Sequence, residues 1–169
     1  YTYGAMEFFL VGYLREIAGI DPFLIGVVLG AQLIVIPVAK PFMGRVADKV
    51  GRRIPIIAGS VVGAAPLMVI PYVTDFILLL ALSITYGLGF SLVTSATPAL
   101  VSDQVNDKLY GTAMGFLATI MDVGQVLGPI ITGLIIAVSA TYRFSFIALA
   151  VILLLSCVVY YFTMASSSR

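Results

Sequence analysis

The chain has 169 residues, of which 61% are apolar and only 10% charged, with a mean hydropathy of +1.13. A water-soluble domain cannot hide that much apolar surface, so lipid is the main solvent the composition allows. The net charge of +1 is too small for a nucleic-acid partner. With no histidine and a single Cys157 inside an apolar run, an internal disulfide, the usual zinc sites and histidine-dependent catalysis are excluded, and neither metal nor cofactor is expected.

A membrane-spanning helix takes about 20 mostly apolar residues, which divides this chain into about six spans and leaves no room for a soluble domain. Polar breaks at Arg15 to Pro22, Gly44 to Arg53, Pro71 to Asp75, Ser102 to Tyr110 and Ser139 to Arg143 mark the joints. The spans are predicted near 1–19, 22–43, 54–73, 76–100, 111–138 and 142–164. Together they form one transmembrane domain over 1–165, followed by a short tail at 166–169. Lipid offers the backbone no hydrogen bonds, so each span is a helix or a strand of a closed barrel, and barrel strands are only about ten alternating residues long. The expected fold is therefore all-α. The chain opens on Tyr1 as if inside a helix, without a visible cleavable signal peptide, which reads as a piece of a longer protein.

Lys and Arg are retained on the cytoplasmic side of short loops. Lys40, Arg45, Lys49, Arg52, Arg53, Lys108 and Arg169 fall on one side of the layout, Arg15 and Arg143 on the other. The loops after the second and fourth helices and both termini are thus expected in the cytoplasm, with the protein in the inner or plasma membrane.

The joint after the second span carries more than topology requires. It reads Gly44-Arg45-Val46-Ala47-Asp48-Lys49-Val50-Gly51-Arg52-Arg53-Ile54-Pro55-Ile56. Gly44 permits close helix packing, Gly51 suits a turn of positive dihedral, and the neighbouring cations can pair with Asp48 or Asp103. This stretch resembles the signature loop of the major facilitator superfamily, Gly-x-Leu-Ala-Asp-Arg-x-Gly-Arg-Arg/Lys-x-x-Leu, with Val46, Lys49 and Ile56 as conservative departures. The resemblance implies a latch on a cytoplasmic gate formed by Gly44, Asp48, Lys49, Gly51, Arg52, Arg53 and Asp103. The simpler alternative is a positively charged stop for insertion.

In the fifth span, Gly115, Gly124, Gly128, Pro129 and Gly133 fall at the spacing of the family's antiporter-type pattern, with Thr132 replacing one of its final glycines. Small residues at such intervals let a second helix approach closely, and Pro129 bends the helix. Ordinary membrane-helix packing uses the same residues. In the fourth span Ser83 stands where N-terminal halves of many proton antiporters carry an arginine, which favours the C-terminal half. The resemblance implies half of a transporter fold, a 3+3 inverted repeat. It would pack against a second six-helix half, in the same polypeptide or as a homodimer, around a midplane site. The implied activity is alternating-access transport of a small organic solute, coupled to protons and directed to efflux, with uptake by symport left open.

A charged group at the bilayer centre costs about 3 kcal/mol on insertion scales, so intramembrane acids are the sharpest functional candidates. These are Asp122 and Glu7. Asp122 lies three residues before Gln125 and seven after Gly115, a spacing that shares one helix face and points to a cavity where a proton binds and leaves. Gln32 is a further cavity candidate. The alternative for each acid is a hydrogen bond between helices. The hydroxyl stripe Ser83, Ser91, Thr94 and Ser95 reads as bonding back to its own helix, and Tyr72, Phe76, Tyr110 and Tyr142 as interfacial anchors. Two other classes compete. An intramembrane aspartyl enzyme needs two opposed aspartates where only Asp122 qualifies, and a channel usually shows a filter loop or charge ring, which is missing here.

Overall fold

A computed structural model describes residues 1–139 and 141–166. They form six long helices: α1 Thr2–Glu16, α2 Pro22–Val50, α3 Arg53–Val69, α4 Phe76–Gln104, α5 Tyr110–Ser139 and α6 Tyr142–Ser166. Single 3-10 turns at Ile70–Tyr72 and Asp107–Leu109 extend the end of α3 and the start of α5. Five of the helices are long and apolar enough to cross a membrane. The sixth, α1, has 15 residues, about 22 Å at helical rise.

Local chemistry sets most boundaries. Asp21 caps α2 by accepting from the Phe23 N–H at 2.8 Å, with Pro22 in the first turn, where its missing N–H is harmless. Asp75 caps α4 by accepting from the Leu78 N–H at 2.9 Å. Gly51, at φ 85°, ends α2.

Several of the predicted ends move. The second helix was expected to stop at 43 and instead runs to Val50; the fourth runs to Gln104 rather than 100. Charge does not break a helix, and neither Gly44 nor the run from Arg45 to Val50 carries a conformational stop before Gly51. Both helices therefore continue past their apolar stretches into polar sequence. The first helix ends at Glu16, three residues short of the expected 19. Of the tail expected at 166–169, Ser166 closes α6 and the remainder lies outside the described residues.

Helix α4 packs on α2 and α3, α1 packs on α5 and α6, and α3 meets α6. Small residues decide how close these pairs come. A Cβ added at Gly89 would lie 2.6 Å from the Gly63 nitrogen and 2.8 Å from the Gly59 carbonyl oxygen, so α3 and α4 touch backbone to backbone. Across α2 and α4, the Ser91 hydroxyl donates to the Ile36 carbonyl at 2.9 Å. Thr94 and Ser95 bond back to Phe90 and Leu92 of their own helix, so Ser91 is the member of that stripe that joins two helices. The core is the stripe Ala5, Met6, Phe9, Leu10, Tyr13 and Leu14 of α1, packed among Leu67, Tyr86, Phe146 and Leu149. Large apolar side chains on α2, α5 and α6 point outward, as a lipid solvent requires.

Candidate functional site: an intramembrane cavity and a charged joint

A cavity of about 680 Å3 lies along α1 where α5 and α6 pack on it. Gly4, Glu7, Phe8 and Glu16 of α1, Gln125 and Pro129 of α5, and Tyr142 of α6 are among its walls. Near it, α1 and α5 touch closely. A Cβ at Gly4 would meet the Gln125 carbonyl oxygen at 2.5 Å, and one at Gly124 would meet the Tyr1 nitrogen at 2.9 Å. Gly128 is in equally close backbone contact with Tyr1, and a Cβ there would lie 3.0 Å from the Ala5 nitrogen. Gly133 sits near the Phe9 ring, whereas among the described residues no atom of another element lies within 4 Å of a Cβ at Gly115.

Of the four acids and amides singled out by sequence, the structure brings Glu7 and Gln125 together at this cavity. Asp122 does not line it. Its side chain is exposed on α5, one turn from Gln125, and so lies on the open flank of the bundle. Gln32 is 1% exposed at the α2–α4 contact beside Gly87, with neither its amide nitrogen nor its oxygen hydrogen-bonded among the described residues. It is a buried packing residue in this conformation rather than a cavity wall. Two wall residues were not anticipated as such. Glu16 accepts a hydrogen bond from the Tyr142 hydroxyl at 2.7 Å, and both line the cavity. Glu16 lies nine residues after Glu7, which puts the two on opposite sides of the helix, so spacing gives no sign that one cavity reaches both. Tyr142 read as an interfacial anchor, and only its approach to α1 shows otherwise.

The charged joint sits where α2, α3 and α4 end together. The Arg52 guanidinium donates through Nη1 to Asp48 on α2 and through Nε to Asp103 on α4, the latter at 3.1 Å. These two carboxylates, Asp103 first, raise the Arg52 pKa above its already high ordinary value, so the bridge stays charged at any physiological pH. Beneath it, Ala47, Ile56 and Ala96 form a small apolar cluster with Leu100 and Tyr160. Lys49 and Arg53 make no ion pair among the described residues, and Gly44 faces open space. Exposed ion pairs contribute little stability. The arrangement is better suited to a contact that forms and breaks. Asp103→Asn should leave the Asp48–Arg52 pair across the α2–α3 joint and release α4. The check is thiol labelling of a cysteine placed at Asn106, expected to speed up several-fold; an unchanged rate would mean the bridge holds nothing closed.

Long apolar helices around a cavity with acidic groups on its wall are a construction that membrane transporters use. The chain belongs to the Major Facilitator Superfamily, whose family profile matches residues 2–169; its members are transporters, not enzymes. It is 32% identical over 142 residues to a class H tetracycline resistance protein of Pasteurella multocida, covering 78% of this chain and 33% of that one. It is 28% identical over 137 residues to the multidrug resistance protein MdtG of Proteus mirabilis, covering 81% and 34%. The riboflavin transporter RibZ of Clostridioides difficile is 26% identical over 148 residues, covering 84% and 32%. The chain thus spans about a third of the length of these curated relatives.

Proposed function

We propose that this chain is one six-helix half of a secondary active transporter that exports a small organic solute by alternating access in exchange for protons. The observation that carries the reading is the cavity on α1, which holds Glu7 and Gln125 within a mostly apolar wall. The efflux direction draws on the relatives named for tetracycline and multidrug resistance and on the glycine and proline pattern of α5. The packing of α1 on α5 and α6, beside that of α4 on α2 and α3, supports a 3+3 inverted repeat, because exchanging the two three-helix units maps one set of contacts onto the other.

The charged joint faces the cytoplasm in this reading, together with both termini, and the membrane is the inner or plasma membrane. Asp48, Arg52 and Asp103 latch the cytoplasmic gate. A second half, fused or as a second copy, covers the outward faces of α2 and α5. Ser83 at the position of an antiporter arginine supports the C-terminal half. Asp122 is the first candidate for the coupling proton, because an exposed carboxyl on α5 at this depth needs protein or water rather than lipid to face it. Glu7 is the second.

The test is transport by the purified natural protein in proteoliposomes, with and without an imposed proton gradient. Saturable movement of solute against the direction of proton flow supports the proposal. Movement with the protons would replace efflux by uptake, and an ungated conductance would replace the transporter by a channel.

A further inference from the structure

Helices α2 and α4 run parallel in a single register. Gly87 lies beside Gln32, where a Cβ would meet the Gln32 Cγ and carbonyl oxygen at 3.5 Å. The Ser91 hydroxyl donates to the Ile36 carbonyl, and Asp103 meets Asp48 through Arg52. Each of these pairs is 55 residues apart in the chain, so the seam keeps step from the middle of both helices down to the charged joint. The same offset sets Ser83 opposite Val28, one turn nearer the start of both helices.

Two polar side chains of this seam have no partner. Gln32 is 1% exposed and Ser83 fully buried, and neither end of the amide nor the Ser83 hydroxyl makes a hydrogen bond among the described residues. A buried donor or acceptor left unpaired costs the desolvation of that group, and a primary amide has two such ends. Both residues are buried by this chain itself, so a second half reaches neither in this conformation. Between them and the charged joint, Pro37 and Pro41 remove two helical N–H donors from α2, which lowers the cost of changing its curvature.

We propose that Gln32 and Ser83 form a switch in the α2–α4 seam, unpaired while the Asp48–Arg52–Asp103 bridge is closed and hydrogen-bonded to each other when it opens. The two stand about one helical turn apart, some 5 Å along the seam, and a glutamine side chain spans most of that distance. A slip of α2 toward the start of α4 closes the remainder. Because the seam is in one register, the same slip moves Asp48 away from Asp103, so making the buried bond and breaking the bridge are one movement. The closed form carries the desolvation of two unpaired groups, which offsets part of the bridge and keeps the two conformations close enough in free energy to exchange. The inference rests on the latch reading of the charged joint and adds the element that works against the latch.

In the natural full-length protein, thiol labelling of Asn106→Cys, read by mass spectrometry of that peptide, reports the gate, and thermal unfolding in detergent reports the seam. Gln32→Met keeps the length of the side chain and removes both unpaired ends, so it should raise the unfolding midpoint by a few degrees and slow labelling several-fold. Ser83→Ala should slow labelling as well. The double variant should slow it no further than either single one, because a bond made only in the open form is lost once. Additive effects would overturn the pairing, and labelling unchanged by Gln32→Met would overturn the switch. A lower midpoint for Gln32→Met would overturn it too, since it would show the amide already bonded to water in the closed form. Asp103→Asn separates the two readings. Faster labelling there, with none of the Gln32 and Ser83 effects, would leave the latch standing and remove the switch; labelling no faster than in the parent would remove both.

Discussion

Replacing Gly89 by valine should separate α3 from α4 and destabilise the whole bundle more than any surface change. Even a methyl group there would lie 2.6 Å from one backbone nitrogen and 2.8 Å from a backbone oxygen of α3, and backbone cannot rotate aside as a side chain can. Overpacking of this kind costs about 1–3 kcal/mol in well-packed interiors, and the larger β-branched side chain lies at the upper end or beyond. The reciprocal contact, Gly59 against the Gly89 carbonyl at 2.8 Å, predicts a loss of the same order for Gly59→Val. Thermal unfolding in detergent, followed by loss of the monodisperse peak, measures it. Gly115→Ala, which meets nothing within 4 Å, should leave the midpoint unchanged. Equal midpoints for the Gly89 and Gly115 variants would show that the α3–α4 contact is not backbone-tight.

Asp122→Asn should cut proton-driven transport by about tenfold or more, because an intramembrane carboxyl that loads and unloads a proton has no substitute in a neutral amide of the same shape. Exchange of solute down its own gradient, which needs no proton, should persist, and the folded yield should stay near that of the parent protein. The exposed position of Asp122 on α5 gives the reason to expect a retained fold: no described partner is lost and no cavity is opened. The decisive comparison is the ratio of gradient-driven to exchange transport in the two proteins. An unchanged ratio would falsify the assignment of Asp122 and move the coupling role to Glu7. A loss of both modes together would mean that Asp122 holds helices in place.

Family membership and the all-α class were open to reading without coordinates, because lipid forces continuous apolar helices and because the run from Gly44 to Ile56 is long enough to be specific, although five of the six expected spans have spanning length and α1 is a shorter helix. Charge alone suggested that a neighbouring cation pairs with Asp48 or Asp103; that Arg52 bridges both at once is seen only in the packed bundle. Helix ends at charged residues were less legible. Hydropathy marks where the apolar layer stops, but a helix continues until the backbone is given a reason to end, as at Gly51.

Periodicity suggested one shared face for Gly115, Asp122 and Gln125, yet only Gln125 reaches the cavity. A helix face has no function until another element stands opposite it. The placement of α1 beside Gly124 and Gly128 decided which part of that face is enclosed. The same packing turned Glu16 and Tyr142 from end-of-helix residues into the boundary of a cavity, and buried Gln32 at a contact where a polar chain was expected to face open space. Composition and local spacing suffice for solvent, helix and charge sign, since each residue carries those by itself. Which polar groups meet depends on backbone approach between helices far apart in the chain, and only the packed bundle supplies it.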